Sequence, residues 1–357
     1  MNTEMCFPGI KGNDALRARL ARDIISGSGL AHAYVIEGRP GSGRRTMAKN
    51  IAAALCCERA GSGLPLPCGE CPACRKIFAG ISPDVITVTR EDGKASIGID
   101  TIRDLRTDVH VMPNELDSKI YIIEDADTMT AQAQNALLLT LEEPPAYLVF
   151  LLIAENSRNM LDMLETIRSR APSLRMQPLP PETVAAIAAE SSAEAARMRT
   201  EDRNAFRGII MAADGSAGRA IELFEGKEKD AVTARRAAAT EFCRIACSRG
   251  HGRELLSVLF PYSSGKRDEA AKLLGDISLA LRDLALQKKS ETVPLRFFAD
   301  RDEAEALCGE YTLSRLIALY DATEKARDLL LRNANTRLTI FNLMQAAESV
   351  GTHKNKG

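Results

Sequence analysis

The chain has 357 residues, 45% of them hydrophobic and 27% charged, enough for two or three domains with real cores. A formal net charge of −1 argues against a protein that holds DNA mainly by its own electrostatics, and 4% aromatics with no Trp argue against stacking platforms for single strands. No apolar run approaches a membrane span, and the N-terminus shows no basic region followed by an apolar stretch, so a cytoplasmic location is expected.

Tyr34-Val35-Ile36-Glu37 reads as a buried strand. It runs into Gly38-Arg39-Pro40-Gly41-Ser42-Gly43-Arg44-Arg45-Thr46 and then into a helix over 44–55. This is the strand–glycine loop–helix frame that cradles phosphate with backbone amides and a helix N-terminus. The frame normally continues with Lys and then Ser or Thr, but here Arg44 and Arg45 follow. Sliding the register to use Arg45-Thr46 would need glycines at Arg39 and Arg44. A guanidinium is a planar fork, not the compact point charge of lysine. The hydroxyl that normally binds magnesium is also missing, and Thr46 comes one residue too late, about 100° around the helix. Gly38, Gly41, Gly43, Arg44, Arg45 and Thr46 therefore outline a degenerate nucleotide site, in which ATP binding is expected to be weak or absent.

Nine cysteines follow no secreted disulfide pattern. Cys68, Cys71 and Cys74 form two overlapping C-x-x-C units just after the loop helix, with Cys56 and Cys57 upstream. Four thiolates suit a closed, structural zinc site. An iron–sulfur run would need a fourth Cys-Pro where Phe78 stands, and a redox dithiol would leave the remaining cysteines unexplained. Cys68, Cys71 and Cys74 are thus expected as ligands, with the fourth from the adjacent pair Cys57 or Cys56. Cys6, Cys243, Cys247 and Cys308 are expected to be reduced, partly buried small residues.

Further strands are expected at 84–89, 119–124, 148–154 and 173–177, with helices at 72–80, 99–110, 130–143 and 159–168. Such alternation predicts a parallel sheet covered on both faces. The strand Ile120–Ile123 ends in Glu124-Asp125, where a phosphate-loop fold holds its magnesium and water. The order is inverted relative to an Asp-Glu pair, a displacement on the order of 1 Å that can cost ~100-fold in rate. The proline-rich segment 177–181 then leads into sequence that reads as helical up to Ala347.

The segment from Lys119 to Pro145, with Asn135-Ala136-Leu137-Leu138 and Leu141-Glu142-Glu143-Pro144-Pro145, resembles the central part of bacterial clamp-loader AAA+ subunits of DNA polymerase III. His32-Ala33-Tyr34 and Arg168-Ser169-Arg170-Ala171 match in order and spacing. The family includes a gamma/tau motor branch and a delta-prime branch. The altered loop, the Glu-Asp order and Asn333-Ala334-Asn335-Thr336-Arg337-Leu338 resemble delta-prime. The resemblance implies an α/β P-loop (AAA+) domain at 1–177 with a four-cysteine zinc module at 57–74. It also implies a helical lid domain at 178–228, an all-α collar domain at 229–351 and a disordered tail at 352–357. It further implies a circular five-subunit assembly within the polymerase holoenzyme that loads the sliding clamp on primed DNA. This chain would be a subunit without catalysis of its own, partnered by the motor and delta subunits and offering Arg170 in trans to the neighbouring ATP site. Departures are Ala171 where the family has Cys, an arginine one position late in Gly215-Ser216-Ala217-Gly218-Arg219, and Asn156 near the sensor position of the fourth strand. Competing readings are an active gamma/tau-like ATPase with Arg44 in place of lysine, and a zinc-dependent DNA-binding protein.

Overall fold

The computed structural model describes residues 6–27, 30–91, 93–155, 165–226, 228–247, 251–263, 267–290, 295–298 and 301–349. Asn156, the first part of the helix expected at 159–168 and the tail 352–357 lie outside the described residues. By contacts the chain divides into two units, 1–184 with 215–219, and 185–214 with 220–357. The stretch 178–228, expected as a separate lid, contributes to both.

The first unit contains α1 (Asp14–Ser26), β1 (Ala33–Gly38), α2 (Arg44–Leu55), α3 (Pro72–Ala79), β2 (Val85–Val88) and α4 (Ile99–Asp108). It continues through β3 (Lys119–Ile123), α5 (Ala131–Glu142), β4 (Leu148–Glu155), α6 (Glu165–Arg170) and β5 (Ser173–Arg175), and α7 (Pro181–Ser191) leaves it. The five strands form one sheet in the order β2-β3-β4-β1-β5 with every neighbouring pair parallel. Both faces are covered, which is why the central strands read as continuous apolar runs. Side chains alternate across the sheet with period 2. Tyr34, Ile36, Ile120, Ile122, Leu151 and Ile153 pack with Leu20, Met47, Ile51 and Ile77 of α1, α2 and α3. Val35, Tyr121, Ile123, Phe150 and Leu152 pack with Ile102, Leu105, Leu137, Leu141 and Ile167 of α4, α5 and α6.

Helix α1 was not expected. Its buried positions are Arg17, Leu20 and Ala21, and Leu16 and Ile24 pack partly buried against the same core. A half-polar anchor holds it: Arg17 donates from Nε to the Cys6 carbonyl at 2.8 Å and from Nη1 to Asp14 at 2.7 Å. Asp84, fully buried ahead of β2, accepts the backbone amides of Asn114 at 2.7 Å, Glu115 at 2.7 Å and Leu116 at 2.9 Å, fixing the loop into β3.

The second unit is helical among its described residues: α8 (Ala193–Glu201), α9 (Arg203–Ala212), α10 (Ala217–Glu225), α11 (Glu228–Ala246), α12 (Gly252–Ser263), α13 (Arg267–Gln287), α14 (Arg301–Cys308), α15 (Leu313–Leu331) and α16 (Thr336–Ser349). The first residues of α10 belong to the first unit. Leu273, Leu274, Ile277, Leu281 and Leu284 make α13 the spine of its core, against Leu316 and Leu319 of α15 and Ile340 and Leu343 of α16. Buried Asp283 accepts the amides of Arg296, Phe297 and Phe298, and buried Arg315 donates to the carbonyls of Ala246 and Ala347. No described helix is long and apolar enough to cross a membrane.

Candidate functional site

The loop after β1 keeps the backbone of a phosphate cradle. Gly41 and Gly43 sit at φ +71° and +88°, in the left-handed region that glycine enters without steric cost. The Ser42 amide closes the turn on the Arg39 carbonyl at 3.1 Å, and Met47 donates to Gly43 at 2.8 Å to start α2. At Gly38 a Cβ would lie 2.5 Å from Ser42 Oγ, so that position has no room for a side chain. The Ser42 hydroxyl is buried and without a partner among the described residues.

Residues 215–219 sit on the tip of this loop. Ser216 Oγ donates to the Pro40 carbonyl at 2.9 Å, and the Gly218 amide donates to the Gly41 carbonyl at 2.9 Å. A Cβ on Gly218 would meet Gly41 Cα at 2.7 Å, and one on Gly41 would meet Ser216 Oγ at 2.5 Å. Two glycines thus allow backbone to touch backbone.

The charges around the loop are satisfied within the chain. Arg45 Nη2 lies 2.7 Å from Glu124 Oε2, and Arg90 Nη2 lies 2.9 Å from Asp125 Oδ2. The sheet explains both. Val88 pairs with Ile123, so Arg90 and Asp125 leave adjacent strands at the same level. By contrast β4 separates β1 from β3, a span of about 9.5 Å that the long arginine and glutamate side chains bridge together. Arg44 is half-buried, and desolvation lowers its pKa against the pull of Glu155, Asp127 and Asp125. Burial raises the pKa of Asp127 beside it. At this exposure each ion pair contributes about 1 kcal/mol or less, so the pairs alone would not bar a dication. The absent hydroxyl removes a usual ligand as well: Thr46 stays exposed, one residue beyond the loop. Gly38, Gly41, Gly43, Arg44, Arg45, Glu124 and Asp125 are therefore gathered at the carboxyl end of the sheet.

In the cysteine module the sulfurs of Cys57, Cys68, Cys71 and Cys74 all lie within 4.8 Å of one another, and Cys68 and Cys74 are 4.0 Å apart. Sulfurs bound to one zinc at 2.3 Å with tetrahedral angles stand about 3.8 Å apart, so the four thiols can hold a metal ion. Of the adjacent cysteines, Cys57 joins the cluster and Cys56 does not. Burial pushes the Cys56 thiol up to about 12, as for an inert side chain. Burial also opposes ionisation of Cys68, but the Cys71 and Glu70 amides and the Cys57 and Cys71 side chains bring it down to about 7. Cys71 doubles as the N-cap of α3, its sulfur accepting the Cys74 amide at 3.4 Å, with Pro72 beginning the helix.

Arg170 ends α6 with about a third of its side chain exposed. Its Nη1 donates to the Thr166 carbonyl at 3.1 Å, and its Nη2 donates to Glu142 Oε1, at the end of α5, at 3.0 Å. Three features escaped the sequence reading: Arg90 on Asp125, Ser216 and Gly218 on the loop, and Glu142 on Arg170. Each joins residues far apart in the chain, brought together by the strand order, by the docking of 215–219 on the loop and by the α5–α6 packing.

A family model described as DNA polymerase III, delta subunit matches residues 13–180. The chain is 36% identical over 146 residues to DNA polymerase III subunit tau of Bacillus subtilis, covering 41% of this chain and 25% of that one. It is 39% identical over 141 residues to DNA polymerase III subunit delta' of Pseudomonas aeruginosa, covering 39% and 41% of the two chains. A solved gamma subunit-related protein of Thermotoga maritima aligns over 93% of this chain and 98% of its own, at 21% identity and a TM-score of 0.40. The matched part spans less than half the length of either curated relative. By the family model and the curated relatives, residues 13–180 are those of a clamp-loader AAA+ family member of DNA polymerase III.

Proposed function

We propose that this chain is a delta-prime-like stator of the replicative clamp loader, inactive as an ATPase by itself. In this reading it serves the neighbouring motor subunit with Arg170 during loading of the sliding clamp on primed DNA. The observation that carries it is the loop itself: Arg44 and Arg45 stand where the lysine and the magnesium-binding hydroxyl belong, and Thr46 stays exposed one residue later. A site arranged this way lacks the lysine and the hydroxyl ligand to magnesium that phosphoryl transfer uses. The chain keeps the cradle as architecture, with ATP binding in cis weak or absent.

The rest of the reading follows from the same family. Residues 1–177 act as the AAA+ domain, 178–228 as a lid and 229–351 as a collar that assembles with the motor and delta subunits in the cytoplasm. Cys57, Cys68, Cys71 and Cys74 hold one zinc ion, which fixes the loop 57–74 and does no chemistry. Arg170 supplies positive charge to the transferring phosphoryl group across the subunit boundary, a role worth roughly 1,000-fold or more in NTPases.

Similarity to a tau subunit keeps one competitor in view, a motor in which Arg44 replaces lysine. Two measurements separate them. The purified chain, mixed with the motor and delta subunits of its own organism, should form a stable complex on sizing while showing no magnesium-dependent ATP turnover alone. Turnover by the chain alone that disappears with Arg44→Ala would establish the motor instead.

A further inference from the structure

Arg170 is held before any neighbour arrives. An arginine carries about 2 kcal/mol of side-chain rotamer entropy, so a solvated one samples many positions. Here three contacts hold it: Nη1 donates to the Thr166 carbonyl one turn back on α6 at 3.1 Å and to Ser169 Oγ at 3.5 Å, and Nη2 donates to the Glu142 carboxylate from α5 at 3.0 Å. The Thr166 and Ser169 contacts are local to α6. The Glu142 contact is not local, because it ties the arginine to the helix that leads into β4. About half of the Glu142 side chain is exposed, so its carboxylate is not needed to fill the core. A guanidinium has five N–H donors in a fixed fork, and these three acceptors leave others to meet an incoming phosphoryl oxygen.

We propose that Glu142 is a positioning residue: its carboxylate orients Arg170 for the neighbouring subunit's ATP site. This rests on the trans-arginine reading above. The alternative physical outcome is a restraint, in which the same carboxylate holds Arg170 back. The geometry favours positioning because Nη2 and Nη1 are both tied close to the end of α6, which holds the guanidinium plane in one orientation. Pre-set geometry of this kind lowers the entropic part of a barrier.

The test uses the assembled complex, with clamp- and DNA-stimulated ATP turnover as the readout. Glu142→Gln keeps the shape and an acceptor but removes the charge, and Glu142→Ala removes both. A partly exposed pair of this kind predicts a two- to fivefold fall in kcat for Glu142→Ala, with KM for ATP unchanged and a smaller fall for Glu142→Gln. In an Arg170→Ala background, Glu142→Ala should have no further effect. An unchanged or raised kcat in both Glu142 variants, with Arg170→Ala still damaging, overturns the positioning role and leaves the trans arginine standing. So does an equal fall from Glu142→Ala with and without Arg170. If Arg170→Ala itself changes nothing, the trans-arginine reading fails, and the positioning role fails with it. Glu142→Gln, nearly isosteric and half exposed, keeps the test open should Glu142→Ala fail to assemble.

Discussion

Replacing Cys71 with serine isolates the contribution of the metal. Cys71 is buried and caps α3 by accepting the Cys74 amide. Serine is itself a preferred N-cap residue, so the helix start survives while one of four sulfurs is lost. If the free zinc concentration is 100 to 1,000 times the dissociation constant, binding stabilises the folded state by about 2.7 to 4.1 kcal/mol. The first unit comprises roughly 190 residues, a size at which each kcal/mol moves Tm by about 2–4 °C. Cys71→Ser should therefore lower the melting temperature of that unit by about 5–16 °C, and chelated wild-type protein should melt with it. Cys56→Ser, outside the cluster, should keep one zinc per chain and shift Tm by less than about 4 °C. Metal analysis alongside circular dichroism makes the comparison. Full zinc content in Cys71→Ser, or zinc lost from Cys56→Ser but kept in Cys57→Ser, would refute the assignment.

Asp84→Ala should cost on the order of 3 kcal/mol, because it leaves the three amides at 114–116 without their acceptor. Burial works against the Asp84 carboxylate, but these amides outweigh it and hold its pKa below the ordinary 3.8. Its contribution is thus complete above about pH 4 and lost as the pH falls through the lowered value; acid titration of wild type and Asp84→Ala should converge there, and parallel curves would contradict this. Gly218→Ala forces a Cβ to 2.7 Å from Gly41 Cα and should destabilise by about 1–3 kcal/mol. Urea unfolding checks it, and an unchanged midpoint would show that residues 215–219 do not need to sit on the loop.

How much of this was legible in the sequence depends on whether a feature is local. The loop glycines, the start of α2 at Arg44 and the C-x-x-C module are set by residues a few positions apart, and the central strands β1, β3 and β4 announce themselves because both their faces are buried. Helix α1 was missed although Leu16, Leu20 and Ile24 recur at four-residue spacing; what the sequence does not carry is the anchor of Arg17 on the Cys6 carbonyl. The choice of Cys57 over Cys56 needed the turn at the end of α2, as neighbouring thiols point in different directions. The Arg90–Asp125 and Arg170–Glu142 pairs span 35 and 28 residues and follow from strand order and helix packing, which composition and spacing do not carry.

The central claim is that this chain serves a neighbour's ATP site and not its own. Stimulated ATP turnover by the reconstituted complex, measured with this chain as wild type, Arg44→Ala or Arg170→Ala, tests it most directly. The account predicts near wild-type turnover with Arg44→Ala and a marked loss with Arg170→Ala, both variants assembling normally. Loss with Arg44→Ala and none with Arg170→Ala would contradict it.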